Sequence, residues 1–207
     1  MDLKSLAIAE RTDFATFLET LSPAQWEAPS LCDGWRVRDV VAHVISYDEL
    51  GGRALLDRLV RGRFLLGRAN DLGVAHARDR EPRELVALLR KYPEPRGLTA
   101  AFGGMVALLD GLIHQQDIRR PLGLPRTIPA ARLRAALGCA RFAPPIGAFW
   151  RARGLRLVAT DVNWSSGRGP EVRGPGEALL VAIAGRGTAA GELTGPGQRT
   201  LLQRLAV

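Results

Sequence analysis

The chain has 207 residues, of which 46% are hydrophobic, and this composition is sufficient for one sizeable buried core. No run of 18 or more apolar residues occurs, so we expect no membrane span. The first 25 residues carry acids throughout and lack a basic start followed by an apolar stretch. We therefore expect no signal peptide and a cytoplasmic location. Cys32 and Cys139 have a spacing typical of neither a zinc knuckle nor a redox pair, and we expect both to be reduced.

The formal net charge of +8 raises the question of an anionic partner such as nucleic acid. Lys4 and Lys91 are the only lysines among 29 basic residues, so arginine supplies nearly all of the positive charge. The arginines are scattered along the chain, and no aromatic residues are interleaved among them to form a stacking platform. We therefore predict that the chain does not bind nucleic acid.

Residues 3–21 have apolar side chains at a 3.6-residue period, which predicts an amphipathic first helix. Ser22 and Pro23 suit the cap and first position of a short helical turn. A second helix is predicted from Arg36 to about Arg61, because its valines form an apolar face, although Gly51 and Gly52 could break it.

The following region, residues 62–81, is mixed and basic, and we predict a loop with irregular helix there. Three further helices are then expected, each stopped by proline or glycine. They cover Arg83 to about Lys91, Gly103 to Arg120 and Ala130 to Arg141.

The pattern changes after Trp150, where strands and buried helices alternate. Leu155–Asp161 and Glu171–Arg173 read as strands, residues 165–170 as a turn, and residues 176–186 and 197–205 as helices. The chain is therefore predicted to be mainly α, with a helical domain over residues 1–148 and a small α+β domain over residues 149–207.

Three residues on two predicted helices could hold a metal ion. Asp110 precedes His114 by four residues, so both side chains lie on one face of the fourth helix. A carboxylate with an imidazole suits zinc, nickel or iron(II), and His43 on the second helix is the obvious third ligand. The spacing alone leaves open that Asp110 and His114 are a chance surface pair and that His43 is a structural core histidine. His76 lies in a charged stretch and is expected to face solvent.

Several stretches resemble the mycothiol-dependent maleylpyruvate isomerase family, part of the wider DinB-like metalloenzyme superfamily. Leu21–Trp26 and Pro29–His43 are similar to its N-terminal signature, and Asp110–Gly123 is similar to its second signature. Residues 174–187, with Leu193–Gly197, resemble the small C-terminal domain often attached in this family. The resemblance implies a DinB-like antiparallel four-helix bundle followed by a small C-terminal α+β domain.

The resemblance also implies a divalent metal, with zinc as our expectation, held by His43, Asp110 and His114. One position departs from the family pattern, since its best-known member has Glu where this chain has Asp110. The expected activity is that of a metal-dependent isomerase or thiol S-transferase, which activates a low-molecular-weight thiol such as mycothiol for addition or transfer to a small electrophile.

Arg119 and Arg120 are candidates for binding the cofactor or a substrate carboxylate, because guanidinium offers two parallel hydrogen bonds. The alternative is that they are solvated cations at a helix end. The expected partners are the thiol and a small-molecule substrate, and the sequence leaves open whether the chain also forms a homodimer. An alternative function is a non-catalytic bundle that has lost metal chemistry and serves as a binding or regulatory module.

Overall fold

The computed structural model describes residues 2–206, which form two compact units. The first unit ends at Pro125 and the second begins at Arg126. This division falls earlier than the predicted boundary at residues 148 and 149. The difference arises because Leu133 and Leu137 pack next to Gly176, so the helix that carries both leucines belongs with the C-terminal elements.

The first unit is helical. Its helices are α1 (Leu3–Leu18), α2 (Pro23–Trp26), α3 (Val37–Ile45), α4 (Gly52–Arg61), α5 (Leu66–His76), α6 (Pro82–Lys91) and α7 (Ala101–Leu122). A 3₁₀ turn, Gly97–Ala100, precedes α7. Helix α1 packs against α6 and α7, and α3 packs against the same two helices. These four helices form the bundle, and the predicted fold class is confirmed.

The interior of the bundle is built from the apolar faces that the helical periodicity predicted. On α1, the side chains of Phe14, Phe17 and Leu18 are buried, and on α3 the buried positions include Val40 and Val41. These residues share one apolar cluster, so α1 and α3 are joined through their hydrophobic faces.

Local capping defines two helix ends in the way the sequence predicted. The Ser22 hydroxyl accepts a hydrogen bond from the Gln25 backbone N–H, the Gln25 side chain accepts one from the Ser22 N–H, and Pro23 is the first residue of α2. Helix α7 ends at Gly123, whose φ of 66° is the left-handed conformation that glycine adopts at low cost.

The structure settles one open point about the first unit and corrects one expectation. The predicted helix from Arg36 to Arg61 is broken before Gly52, as the two glycines allowed, because α3 ends at Ile45 and α4 begins at Gly52. The interruption contains Asp48, which is buried against the Arg11 side chain of α1.

Residues 62–81, predicted to be irregular, contain the regular helix α5. This helix is stabilised by packing rather than by a strong apolar pattern. Gly73 lets it approach α3 and α4 so closely that a Cβ there would lie 2.8 Å from the Ser46 hydroxyl and the Arg58 guanidinium. Asn70 also accepts a hydrogen bond from the Tyr47 hydroxyl at 2.6 Å.

The second unit combines short helices with a small sheet. Its helices are α8 (Ala130–Ala140), α9 (Ala148–Ala152), α10 (Gly176–Ile183) and α11 (Gln198–Leu205), and its strands are β1 (Arg156–Ala159), β2 (Ser165–Gly167) and β3 (Glu171–Gly174). Strand β1 lies in the middle, antiparallel to β2 and parallel to β3. Residues 165–170, predicted to be a turn, therefore begin with a strand, because Ser165 pairs with Val158 across the sheet.

One helical stretch, Gly97–Leu122, is long and apolar enough to cross a membrane when judged by length and composition alone. The central helix of a bundle passes the same test, and 44% of the most apolar window of this stretch is buried within the protein. The expectation that the chain has no membrane span stays a prediction.

Candidate metal centre

The three predicted metal ligands converge between helices α3 and α7. The Asp110 Oδ1 atom lies 3.4 Å from His43 Nε2 and 3.3 Å from His114 Nε2. The two imidazole rings have centroids 4.9 Å apart and are nearly perpendicular. One ligand atom from each residue lies within 4.8 Å of the others, so the three side chains can share a single cation.

These distances match those expected between the ligands of one ion. Zinc binds histidine nitrogen and carboxylate oxygen at about 2.0–2.1 Å, so two such ligands at tetrahedral positions are separated by about 3.3 Å. Asp110 makes both of its measured contacts at almost this separation. Its side chain retains 23% exposure, which leaves solvent access for a further ligand. The residues present therefore fit a three-ligand divalent site with an open position.

His114 has a second partner on the side facing away from Asp110. Its Nδ1 atom lies 2.8 Å from Asp117 Oδ2, one turn further along α7. The Cys32 thiol, from the loop before α3, donates to the same Asp117 oxygen at 3.2 Å. His114 is therefore held by carboxylates at both ring nitrogens.

His43 has a different environment. Its ring lies 5.2 Å from that of Trp35 and 6.3 Å from that of Tyr47, measured between centroids. The His43 side chain is only 8% exposed, and its Nδ1 atom has no hydrogen-bond partner among the described residues. Aromatic packing, and not a polar contact at Nδ1, orients this ring.

The electrostatics of the cluster favour a charged carboxylate beside cationic imidazole in the metal-free protein. Burial opposes ionisation of Asp110, but His114 and His43 outweigh that effect and lower the pKa of Asp110. Burial likewise works against protonation of His114, but Asp110, Asp117 and Cys32 together raise its pKa well above the usual histidine value. The three ligand positions thus attract positive charge, which a proton or a metal ion could supply.

The signature loop, residues 29–35, is attached to both helices of the site. Pro29 pairs with Arg36 in an isolated antiparallel bridge at the start of α3. The Leu31 backbone N–H donates to the Asp117 carbonyl oxygen on α7 at 2.9 Å. The loop therefore positions Cys32 beside His114 and Trp35 beside His43. Because the loop leads directly into α3, the signature residues and His43 lie close together both in sequence and in space.

The predicted cofactor-binding arginines lie near the end of α7. The Arg119 guanidinium stacks 3.5 Å over the Phe17 ring of α1, and it donates to the Gln115 side chain and to the Leu124 carbonyl oxygen. Arg119 follows His114 by five residues, about 140° around the helix, so it lies on another face. These contacts give Arg119 a structural role that the sequence did not predict. Arg120 is partly buried and also near the helix end.

His76 is exposed at the end of α5, as predicted. Asp117 and Cys32 were not among the predicted site residues. The three-residue spacing between His114 and Asp117 was a usable signal, since such pairs are neighbours on a helix. No sequence signal could have shown that Cys32, 85 residues before Asp117, donates to its carboxylate.

Comparison with known proteins agrees with the predicted resemblance. Residues 7–97, somewhat under half of the chain and including His43, match the mycothiol maleylpyruvate isomerase N-terminal domain. Two solved structures, the mycothiol-dependent maleylpyruvate isomerase and a histidine-to-alanine mutant of it, share the fold with TM-scores of 0.59 and 0.60. Each is 16% identical in sequence, and each match covers 95% of this chain and 92% of the other.

No curated protein sequence matches the chain significantly. At 16% identity the structural likeness is a likeness of fold, and it extends beyond the matched domain to almost the whole chain. Residues 7–97 therefore resemble the mycothiol maleylpyruvate isomerase N-terminal domain, and the whole chain shares the fold of the mycothiol-dependent maleylpyruvate isomerase.

Proposed function

We propose that this protein is a divalent-metal-dependent enzyme that activates a low-molecular-weight thiol for addition or transfer to a small electrophile. The observation that carries the proposal is the convergence of His43, Asp110 and His114 at the separations that ligands of one ion require. The reaction class is isomerisation or thiol S-transfer, and mycothiol is the proposed thiol because the solved relatives are named for it.

The ligand set suits thiol chemistry. A divalent ion held there would lower the pKa of a small thiol brought to it, so that thiolate is present at neutral pH. Two neutral imidazoles and one carboxylate leave a divalent cation with one uncompensated positive charge, which a single thiolate would neutralise. We propose zinc as the ion, because nitrogen and oxygen ligands with an open position are typical of catalytic zinc sites.

The side chains of this chain have separable roles in the proposal. His43 and His114 each offer Nε2, and Asp110 offers the anionic oxygen between them. The Trp35 ring packs against the His43 ring, with centroids 5.2 Å apart, and so helps to fix its orientation. The partial exposure of Asp110 leaves the approach for the thiol and the electrophile.

Metal content tests the first part of the proposal. The wild-type protein, purified without a chelator and without a metal-affinity tag, should contain about one equivalent of divalent metal by elemental analysis. His114→Ala should lose it, and His76→Ala should retain it, since His76 is an exposed histidine at the end of α5. A wild-type protein without stoichiometric metal would contradict the proposal.

Thiol-dependent turnover tests the second part. We expect the metal-loaded protein to consume a small electrophile, such as an activated cis-alkene or an epoxide, only when the thiol is present. His43→Ala should abolish this activity, and His76→Ala should leave it unchanged. Stoichiometric metal without any thiol-dependent turnover would instead favour the alternative, a binding or regulatory module that keeps the fold without the chemistry.

A further inference from the structure

His114 uses its two ring nitrogens for different partners. Nε2 faces Asp110 at 3.3 Å, and Nδ1 faces the Asp117 carboxylate at 2.8 Å. Cys32 approaches from the signature loop, with its sulfur 3.2 Å from the same Asp117 oxygen and 3.7 Å from Nδ1. Cys32, His114 and Asp117 thus form a second cluster of metal-binding residue types beside the first.

Two of the three separations in this second cluster are those of direct hydrogen bonds rather than of ligands around one ion. An ion bound at about 2.0–2.1 Å to nitrogen and oxygen and about 2.3 Å to sulfur would hold nitrogen and oxygen about 3.3 Å apart and sulfur and oxygen about 3.6 Å apart. The measured separations, 2.8 and 3.2 Å, are both shorter and fall in the range of direct hydrogen bonds.

Asp117 is well placed to act on His114 through this contact. Its side chain is fully buried, so its charge needs hydrogen-bond donors. The His114 Nδ1–H and the Cys32 thiol are two such donors, and both reach the same oxygen. A proton held on Nδ1 leaves the lone pair on Nε2, directed at the position where the ligands converge.

We propose that Asp117 and Cys32 are positioning residues of the metal site. Asp117 fixes the tautomer and orientation of His114, and the Cys32 thiol holds the Asp117 carboxylate in place from the signature loop. The inference rests on the proposed function, since it assigns these residues a role in ion affinity. It also distinguishes the two histidine ligands, because His43 Nδ1 has no corresponding acceptor among the described residues.

Zinc affinity in three variants tests the proposal. Asp117→Asn should weaken zinc binding roughly 10- to 100-fold, the usual cost of losing an outer-shell carboxylate. Cys32→Ala should weaken it about fivefold, as expected for one lost hydrogen bond. Cys32→Ser should restore wild-type affinity, since a hydroxyl also donates to the carboxylate. Cys139→Ala is the matched control, because Cys139 lies on α8, outside the first unit.

A spectroscopic readout separates positioning from a general structural effect. The ¹⁵N chemical shifts of His114, measured at alkaline pH in metal-free protein, should show the proton on Nδ1 in wild type and a mixture of tautomers in Asp117→Asn. The His43 shifts should not change. Unchanged His114 shifts with unchanged zinc affinity in Asp117→Asn would overturn the proposal.

The remaining outcomes are also decisive. Equal losses of affinity in Cys32→Ser and Cys32→Ala would overturn the donor role of Cys32. Should Asp117→Asn fail to fold, the two variants at the half-buried Cys32 still give the affinity comparison. A wild-type protein that binds no zinc would refute the proposed function, whereas the His114 tautomer in wild type and in Asp117→Asn would still decide the positioning role.

Discussion

Asp110 is the residue on which the candidate site depends most. A single oxygen of its carboxylate faces both histidine nitrogens, at 3.4 and 3.3 Å. Asp110 is also the only acidic member of the His43–Asp110–His114 set, so it alone offsets part of the charge of a bound cation. Its shorter side chain, compared with the glutamate of the family's best-known member, still reaches between the two rings.

We expect Asp110→Ala to weaken zinc binding by more than the roughly 10- to 100-fold cost of losing an outer-shell partner, because a direct ligand is removed. Isothermal titration of metal-free protein with zinc measures this. Asp57→Ala is the control, since Asp57 is an exposed acid that pairs with Arg61 one turn away on α4. Equal zinc affinity in Asp110→Ala and wild type would show that Asp110 does not bind the ion.

Helix α7 is the element that organises the site, because it carries Asp110, His114 and Asp117 on one face. Its start is irregular. Gly103 and Gly104 have positive φ values of 68° and 91°, and a Cβ on Gly104 would lie 3.0 Å from the Lys4 Cα atom of α1. The close approach of α1 to α7 at this end therefore requires a residue without a side chain.

Gly104→Ala should lower the free energy of unfolding more than Gly103→Ala. Both changes place a Cβ in the left-handed region, at a cost of about 1–2 kcal/mol. Gly103 has open space around it, whereas Gly104 would in addition collide with the α1 backbone, which adds about 1–3 kcal/mol. Urea unfolding of both variants measures the difference. An equal loss of unfolding free energy in the two variants would mean that α1 can shift away from the added Cβ without cost.

At the scale of the whole molecule, a buried ion pair joins segments that are distant in sequence. Arg11 of α1 pairs with Asp48, which follows α3, and both side chains are almost fully buried. Thr99, just before α7, donates to the same carboxylate at 2.9 Å. Burial raises the pKa of Asp48 in spite of the opposing effect of Arg11. The attraction between the two charges therefore offsets little more than the cost of removing them from water, and the ion pair contributes little net free energy to folding.

Asp48→Leu should destabilise the fold by about 3–5 kcal/mol, because Arg11 is left as a buried charge without its carboxylate. The double variant with Arg11→Met should recover most of this loss, since it replaces the pair by apolar groups. Thermal and urea unfolding measure the stability of the single and of the double variant. Asp57→Leu, which breaks an exposed pair, should have little effect. If the double variant were as unstable as Asp48→Leu alone, the Arg11–Asp48 ion pair itself would be shown to stabilise the fold.

Zinc should also stabilise the protein as a whole, because His43 on α3 and Asp110 and His114 on α7 would be joined through one ion. At a free zinc concentration about 100 times the dissociation constant, the expected gain is about 2.7 kcal/mol. Chelation should reverse it. His43→Ala should not respond to zinc, whereas His76→Ala should respond like wild type. A response of His43→Ala equal to that of wild type would place the zinc elsewhere.

The sequence by itself determined those helices that have an apolar period or a recognisable cap, because periodicity and capping are local. The apolar face of α1, the cap at Ser22 and the end of α7 at Gly123 depend on residues within one or two turns. The spacing of Asp110 and His114 likewise implied one helix face, and the resemblance singled out His43 as their partner.

Only the tertiary structure decided how these elements meet. The interruption of α3 surrounds Asp48, whose partner Arg11 lies 37 residues away, and β2 exists because Ser165 pairs with Val158. Cys32 reaches Asp117 across 85 residues, and Arg119 turns to the Phe17 ring of α1. Local sequence carries no information on such contacts, since their free energy arises only after distant segments have packed together.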